Sequence, residues 1–103
     1  MLHSVEFSEL GRFLDSSVNA DGLDLVISWW RGEYAPLLII DDLHCYRVIK
    51  SRGGLRFWSS LDRLVSSLAD HGVHQFRVVS VPPEQIAHRF DDIQPDLSVA
   101  EAF

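Results

Sequence analysis

Strand-forming segments follow one another closely through the middle of this chain, and this succession constrains its fold more than any other feature. Connections of three or four residues separate the segments, and the last, Ser51-Arg52-Gly53-Gly54, has the adjacent glycines of a hairpin turn. Such short connections join only antiparallel neighbours, so we expect a mainly antiparallel sheet. The four segments, rich in β-branched and aromatic residues, are Leu25–Trp30, Tyr34–Ile40, His44–Lys50 and Leu55–Trp58.

Helical patterns lie on either side of these strands. Apolar residues at helical spacing predict a first helix over about residues 9–18, after a short extended lead-in at residues 3–7. A second helix begins after the capping residues Ser59 and Ser60. A last strand at His74–Val81 and a short helix from Pro83 follow. The order α-β-β-β-β-α-β predicts a two-layer α+β domain, whose sheet of about five strands has two helices on one face.

The length of 103 residues is typical of one domain. We expect that domain at residues 1–90 and a loosely ordered acidic tail at residues 91–103. No apolar run approaches the roughly 20 residues that cross a bilayer, and the first residues do not resemble a secretory signal. The single cysteine, Cys45, excludes an internal disulfide and a multi-cysteine zinc site. The expectation is therefore a cytoplasmic protein with no membrane contact.

Charge is divided unevenly along the chain. The net charge is −6, made up of −6 over residues 1–42, +4 over residues 43–81 and −4 over residues 82–103. An acidic total repels nucleic acid at long range and argues against indiscriminate phosphate binding. Two interpretations of the basic middle remain open. It is neutralised by the acidic ends, within one fold or across a homodimer, or it forms a small anion-binding face.

The sequence contains no arrangement typical of catalysis or of metal binding. His71 and His74 lack the converging third and fourth ligands of a zinc site. His44 and Cys45 are neighbours on a strand, so their side chains point to opposite faces. Gly53-Gly54 is not followed by the lysine and hydroxyl of a phosphate-binding loop. We therefore predict no enzymatic activity, no cofactor and no metal.

Two groups of side chains remain as candidate binding sites. The first is aromatic and predicts a protein interface, because a sheet covered by helices on one face leaves rings on the other. The second is basic, interleaved with aromatic residues, and is the alternative site for nucleic acid. The aromatic group is Trp29, Trp30, Tyr34, Tyr46 and Trp58. The basic group is Arg47, Lys50, Arg52, Arg56 and Arg63.

Residues 34–79 carry a family resemblance. The features that match are an arginine-glycine hairpin at Ile49–Gly54, the segment Phe57–Asp62 at a helix start, Gly72, and Phe76-Arg77-Val78 in the last strand. In these features the chain resembles small accessory proteins of proteobacterial plasmids and integrative elements, of the ParC partition-associated type. The resemblance covers under half of the chain and implies a non-enzymatic role in the maintenance or regulation of a mobile element.

The sequence thus predicts an accessory or regulatory protein of a bacterial mobile element that acts by protein–protein binding, as a homodimer. One form of this function is inhibition of a nucleic-acid-binding partner by the acidic termini. The alternative is a plasmid partition or regulatory protein that binds nucleic acid directly through the region Arg47–Arg63.

Overall fold

The computed structural model describes residues 1–17 and 22–91, and shows an α+β fold with five strands and three helices. No helix in these two ranges is long and apolar enough to cross a bilayer. The elements in chain order are β1 (Leu2–Glu6), α1 (Phe7–Ser17), β2 (Leu23–Trp30), β3 (Glu33–Ile40), β4 (His44–Ile49), α2 (Leu61–Ala69), β5 (Arg77–Val79) and α3 (Pro83–Asp91).

The centre of the sheet is the predicted antiparallel meander of β2, β3 and β4. A two-residue turn, Arg31-Gly32, joins β2 to β3, and both residues have positive φ, 54° and 82°. Two successive positive φ values are the signature of a type I′ hairpin, whose twist matches that of the strands. At the opposite end Asp41 and Asp42 also take positive φ, 56° and 57°, between β3 and β4. The prediction that short connections join antiparallel neighbours is therefore confirmed for β2, β3 and β4.

The sheet as a whole is mixed, so the prediction of a mainly antiparallel sheet is wrong. The strand order is β1-β4-β3-β2-β5, and β1 pairs with β4 and β5 pairs with β2 in parallel. Residues 3–7, predicted only as an extended lead-in, mostly belong to β1. The helices α1 and α2 lie in the connections before β2 and β5, and such long crossovers allow parallel strands.

The predicted strand Leu55–Trp58 is not part of the regular sheet. Only isolated bridges remain, between Ile49 and Leu55 and between Tyr34 and Trp58. Gly53 and Gly54 both take positive φ, 86° and 80°, and turn the chain there, but the following segment is too irregular to continue the ladder. The last strand is also shorter than predicted, three residues at Arg77–Val79 rather than His74–Val81.

Helices cover both faces of the sheet, so the predicted two-layer arrangement is wrong. On one face α1 and α2 pack against Leu25, Ile27 and Leu38. On the other face α3 packs against a second core that includes Val26 and Leu37. Consecutive residues of β2 and β3 are buried, and their side chains point alternately to the two faces of the sheet. Each face therefore needs a helix to cover it. The short C-terminal helix is therefore a third layer.

The helix-start signals are confirmed for α2. Ser60 is its N-cap, and the side-chain oxygen accepts a hydrogen bond from the backbone N–H of Arg63 at 3.3 Å. Gly72 follows the helix with φ of 85°. The predicted tail, residues 91–103, lies outside the described residues except for Asp91, the last residue of α3.

Candidate functional site

Two of the exposed large apolar residues are adjacent tryptophans, at the point where β2 ends at its hairpin with β3. Trp29 is 42% exposed and Trp30 is 39% exposed, although both are large rings in regular strand. They point to opposite faces because strand side chains alternate. Trp29 continues the α1/α2 side of β2, and Trp30 continues the α3 side.

A short neighbouring strand leaves this end of β2 open. β5 pairs only with residues 26–28 of β2, so the ladder stops before the two tryptophans. Val78 of β5 lies opposite Ile27, on the same face as Trp29, and is 45% exposed. We call Trp29, Trp30 and Val78 together the tryptophan patch. It lies around one corner of the sheet, where neither layer of helices covers the side chains.

Charged side chains flank the tryptophan patch without enclosing it. The Arg31 guanidinium lies 6.0 Å from the centroid of the Trp30 ring. Glu33 is exposed opposite Trp30. Farther along the β2–β5 pair, Arg77 donates to the Asp24 carboxylate at 2.8 Å. An apolar centre with a mixed-charge rim is the usual anatomy of a protein interface.

The other three predicted interface residues pack inward. Trp58 is only 7% exposed and belongs to the α1/α2 core. Tyr34 is half-buried and exchanges two backbone hydrogen bonds of 2.8 Å with Trp58. The half-buried Tyr46 ring contacts Phe13 at a centroid distance of 4.7 Å. Of the predicted aromatic group, the structure therefore leaves Trp29 and Trp30 exposed, and it adds Val78 as an exposed neighbour that the sequence analysis missed.

The predicted basic residues do not share one surface. Arg47 lies on the α3 side of β4, where its guanidinium donates to the Ser4 hydroxyl at 3.2 Å. Its Nε is buried and has no hydrogen-bond partner among the described residues. Arg56 lies on the other side, with its guanidinium 4.8 Å from the Phe7 ring centroid and 4.7 Å from that of Trp58. These cation–π contacts stabilise the fold. They also occupy the aromatic ring faces on which a nucleic-acid base would stack.

The remaining three basic residues are Lys50, Arg52 and Arg63, which are exposed. None of them forms an ion pair within residues 1–17 and 22–91. They are the part of the predicted basic group available to an anionic ligand.

The chemically reactive side chains are dispersed. Cys45 is fully buried in the α3-side core, whereas His44 lies on the opposite face of β4, beside His3. His71 contacts the Asp15 carboxylate at 3.2 Å, and His74 is exposed. Across the described residues, no group of three or more histidine, cysteine, aspartate or glutamate side chains is arranged to hold a metal ion.

The environment of His3 shifts the pKa of its imidazole. Burial lowers its pKa, and the nearby His44 and the α-amino group of Met1 lower that pKa further. All three effects disfavour the protonated form of the His3 imidazole. The sequence analysis missed the proximity of His3 and His44, because β1 was not expected to pair with β4.

No family model, curated protein or solved structure matches this chain.

Proposed function

We propose that this chain is a non-enzymatic accessory or regulatory protein that acts by protein–protein binding, with the tryptophan patch as its binding surface. The observation that supports this most directly is the exposure of two adjacent tryptophans, 42% and 39%, at the open end of β2. Tryptophan is among the residues most enriched where binding energy concentrates in protein interfaces. The role in a mobile element rests on the resemblance of residues 34–79 to plasmid accessory proteins.

The hairpin geometry suits such a role. The type I′ turn at Arg31-Gly32 holds the ends of β2 and β3 in register, so the two rings start from a rigid backbone. A pre-organised surface loses less conformational entropy on binding than a mobile loop. The structural use of Trp58 and Tyr46, by contrast, removes them from the surface on which a partner would bind.

A second copy of the chain is the first partner to test. Arg31 in the turn and Glu33 at the start of β3 are both exposed, and a two-fold axis near the turn would bring Arg31 of one copy near the other copy's Glu33. The same axis would cover the tryptophans of both copies. This arrangement is the homodimer that the sequence analysis expected, and it uses the tryptophan patch as a self-complementary surface.

The experiment compares the wild-type protein with the double variant Trp29→Thr/Trp30→Thr, because threonine retains strand propensity. Leu43→Thr is the matched control: Leu43 is 50% exposed, but lies at the β3–β4 turn, at the opposite end of the sheet. Sedimentation equilibrium measures self-association. Host lysate passed over the immobilised proteins, followed by mass spectrometry, identifies other partners.

We expect the double variant to weaken association at least tenfold, since each hot-spot residue contributes about 2 kcal/mol or more. The Leu43→Thr control should behave as wild type. Equal association by the wild type and the double variant, both folded by circular dichroism, would contradict the proposal. A wild-type protein that is monomeric and retains the same lysate proteins as the double variant would also contradict the proposal.

Direct nucleic-acid binding is the competing function, and salt titration separates the two. Arg47, Lys50, Arg52, Arg56 and Arg63 would release counterions on binding phosphates, so affinity would fall steeply with salt. We expect no saturable binding of DNA or RNA at physiological salt, because the net charge is −6 and Arg56 already contacts two rings. Salt-dependent binding lost in Lys50→Ala/Arg52→Ala would favour the competing function.

A further inference from the structure

A cleft of about 490 Å³ lies between α3 and the edge strand β5. Helix α3 packs chiefly over β1, β4, β3 and β2, and β5 stands beyond it at the end of the strand order. This edge of the sheet is therefore left partly uncovered on the α3 side. The volume of the cleft is in the range of about 300–1,000 Å³ that is typical of small-molecule sites.

The floor of this cleft is aliphatic. Val26 of β2 is buried, and Val79 of β5 continues the same face of the sheet two residues beyond Arg77, the pairing partner of Val26. Val81 and the buried Ile86 of α3 complete the apolar lining. None of the described residues that line the cleft is aromatic, so the floor suits an alkyl chain rather than a stacked ring.

The polar rim of the cleft is basic. The guanidinium groups of Arg77 and Arg89 line it, together with the His88 imidazole and the Gln85 amide. No carboxylate is found among the described side chains that line the cleft. In a chain of net charge −6, this is a local concentration of positive charge. The complementary ligand carries a negative group at one end of an apolar body.

Both guanidinium groups have donors left for such a ligand. Arg77 donates one hydrogen bond to the Asp24 carboxylate at 2.8 Å, out of the five N–H donors of its guanidinium. Arg89 is exposed and forms no ion pair within the described part of the chain. Asp24 and Asp42 line an adjoining depression that shares both arginines, so a single negative charge fits better than the two of a phosphate.

We propose that this cleft binds an aliphatic monocarboxylate with a chain of medium length. The carboxylate accepts charge-assisted hydrogen bonds from the Arg89 and Arg77 guanidinium groups. The alkyl chain lies against Val79, Val81 and Ile86, and its removal from water supplies affinity. The site goes beyond the proposed protein–protein binding, because the residues that line the cleft lie outside the tryptophan patch.

Titration of the full chain with octanoate, followed in two-dimensional amide NMR spectra, tests the proposal. Octanol is the matched ligand, because it has an alkyl chain of the same length and no charge. The variants are Arg89→Gln, which removes a guanidinium, and Val79→Thr, which places a hydroxyl on the aliphatic floor. Arg63→Gln is the matched control, because Arg63 is also exposed and without an ion pair among the described residues, but lies on α2, which covers the other face. Circular dichroism shows that each protein is folded.

We expect saturable octanoate binding by the wild type and by Arg63→Gln, with the largest amide shifts at Val79, Val81 and Ile86. Both cleft variants should bind octanoate at least about fivefold more weakly, and the wild type should bind octanol more weakly by a similar factor. No saturable binding, shifts that fall elsewhere, or equal affinity for octanol overturns the proposal. Unchanged binding by either cleft variant also overturns it, and for Arg89 would leave only the role of a basic residue in the last turn of α3.

Discussion

Replacement of Gly11 by alanine tests how closely α1 and the segment after α2 pack together. Gly11 lies in the middle of α1, and the His71 ring occupies the space where a side chain would be. A Cβ atom on Gly11 would lie 2.7 Å from Cε1 of His71 and 3.0 Å from its Nε2. Both distances are too short for ordinary contact, so the ring would have to move.

Two opposing terms determine the effect on stability. Alanine in place of glycine in a helix interior stabilises by about 1 kcal/mol. Moving His71 breaks its contact with Asp15, 3.2 Å in the present structure. Side chains of this pair are 37% and 66% exposed, so the contact contributes only about 0.2–1 kcal/mol. We therefore expect Gly11→Ala to stabilise the wild-type protein by only about 0–0.8 kcal/mol.

A double-mutant cycle isolates this contact. In the His71→Ala background the new methyl group meets no ring, and Gly11→Ala should stabilise by the full value of about 1 kcal/mol. Urea unfolding of the four proteins at pH 7 measures the four free energies. The cycle should give a coupling of about 0.2–1 kcal/mol. Stabilisation in the His71→Ala background that is no larger than in the wild type would refute the packing of His71 against Gly11.

Three further measurements test other parts of the fold. Arg56→Ala should lower the free energy of unfolding by about 1–2 kcal/mol in urea titrations, because its half-buried guanidinium contacts two aromatic rings; a change below about 0.3 kcal/mol would contradict those contacts. Leu14→Ala should cost about 2–5 kcal/mol, because the side chain is fully buried, whereas the exposed Leu43→Ala should cost less than about 0.5 kcal/mol. Because the pKa of His3 is lowered in the folded chain, the folded state binds a proton there more weakly than the unfolded state does. The free energy of unfolding should therefore decrease as the pH falls below the ordinary histidine pKa of about 6.5. His3→Gln should flatten that pH dependence, and an unchanged slope would contradict the altered pKa.

Local sequence determined the elements whose signals lie within a few residues. The meander of β2, β3 and β4 follows from strand-forming segments joined by short turns, because such turns leave only antiparallel pairing. The start of α2 follows from Ser60, whose side chain caps the helix as its sequence position predicts. Alternation along a strand also places Trp29 and Trp30 on opposite faces of the sheet.

Tertiary structure alone decided the features that depend on contacts between distant segments. Parallel pairing of β1 with β4 joins residues more than forty positions apart, and no local pattern encodes that register. The same pairing brought His3 to His44, and the position of α3 on the second face turned a two-layer prediction into three layers. Trp58 and Tyr46 are large aromatic residues, as Trp29 and Trp30 are. Helix α1 covers Trp58 and Tyr46, whereas Trp29 and Trp30 remain exposed. Exposure depends on which helix crosses which strand, and this is a property of the assembled fold.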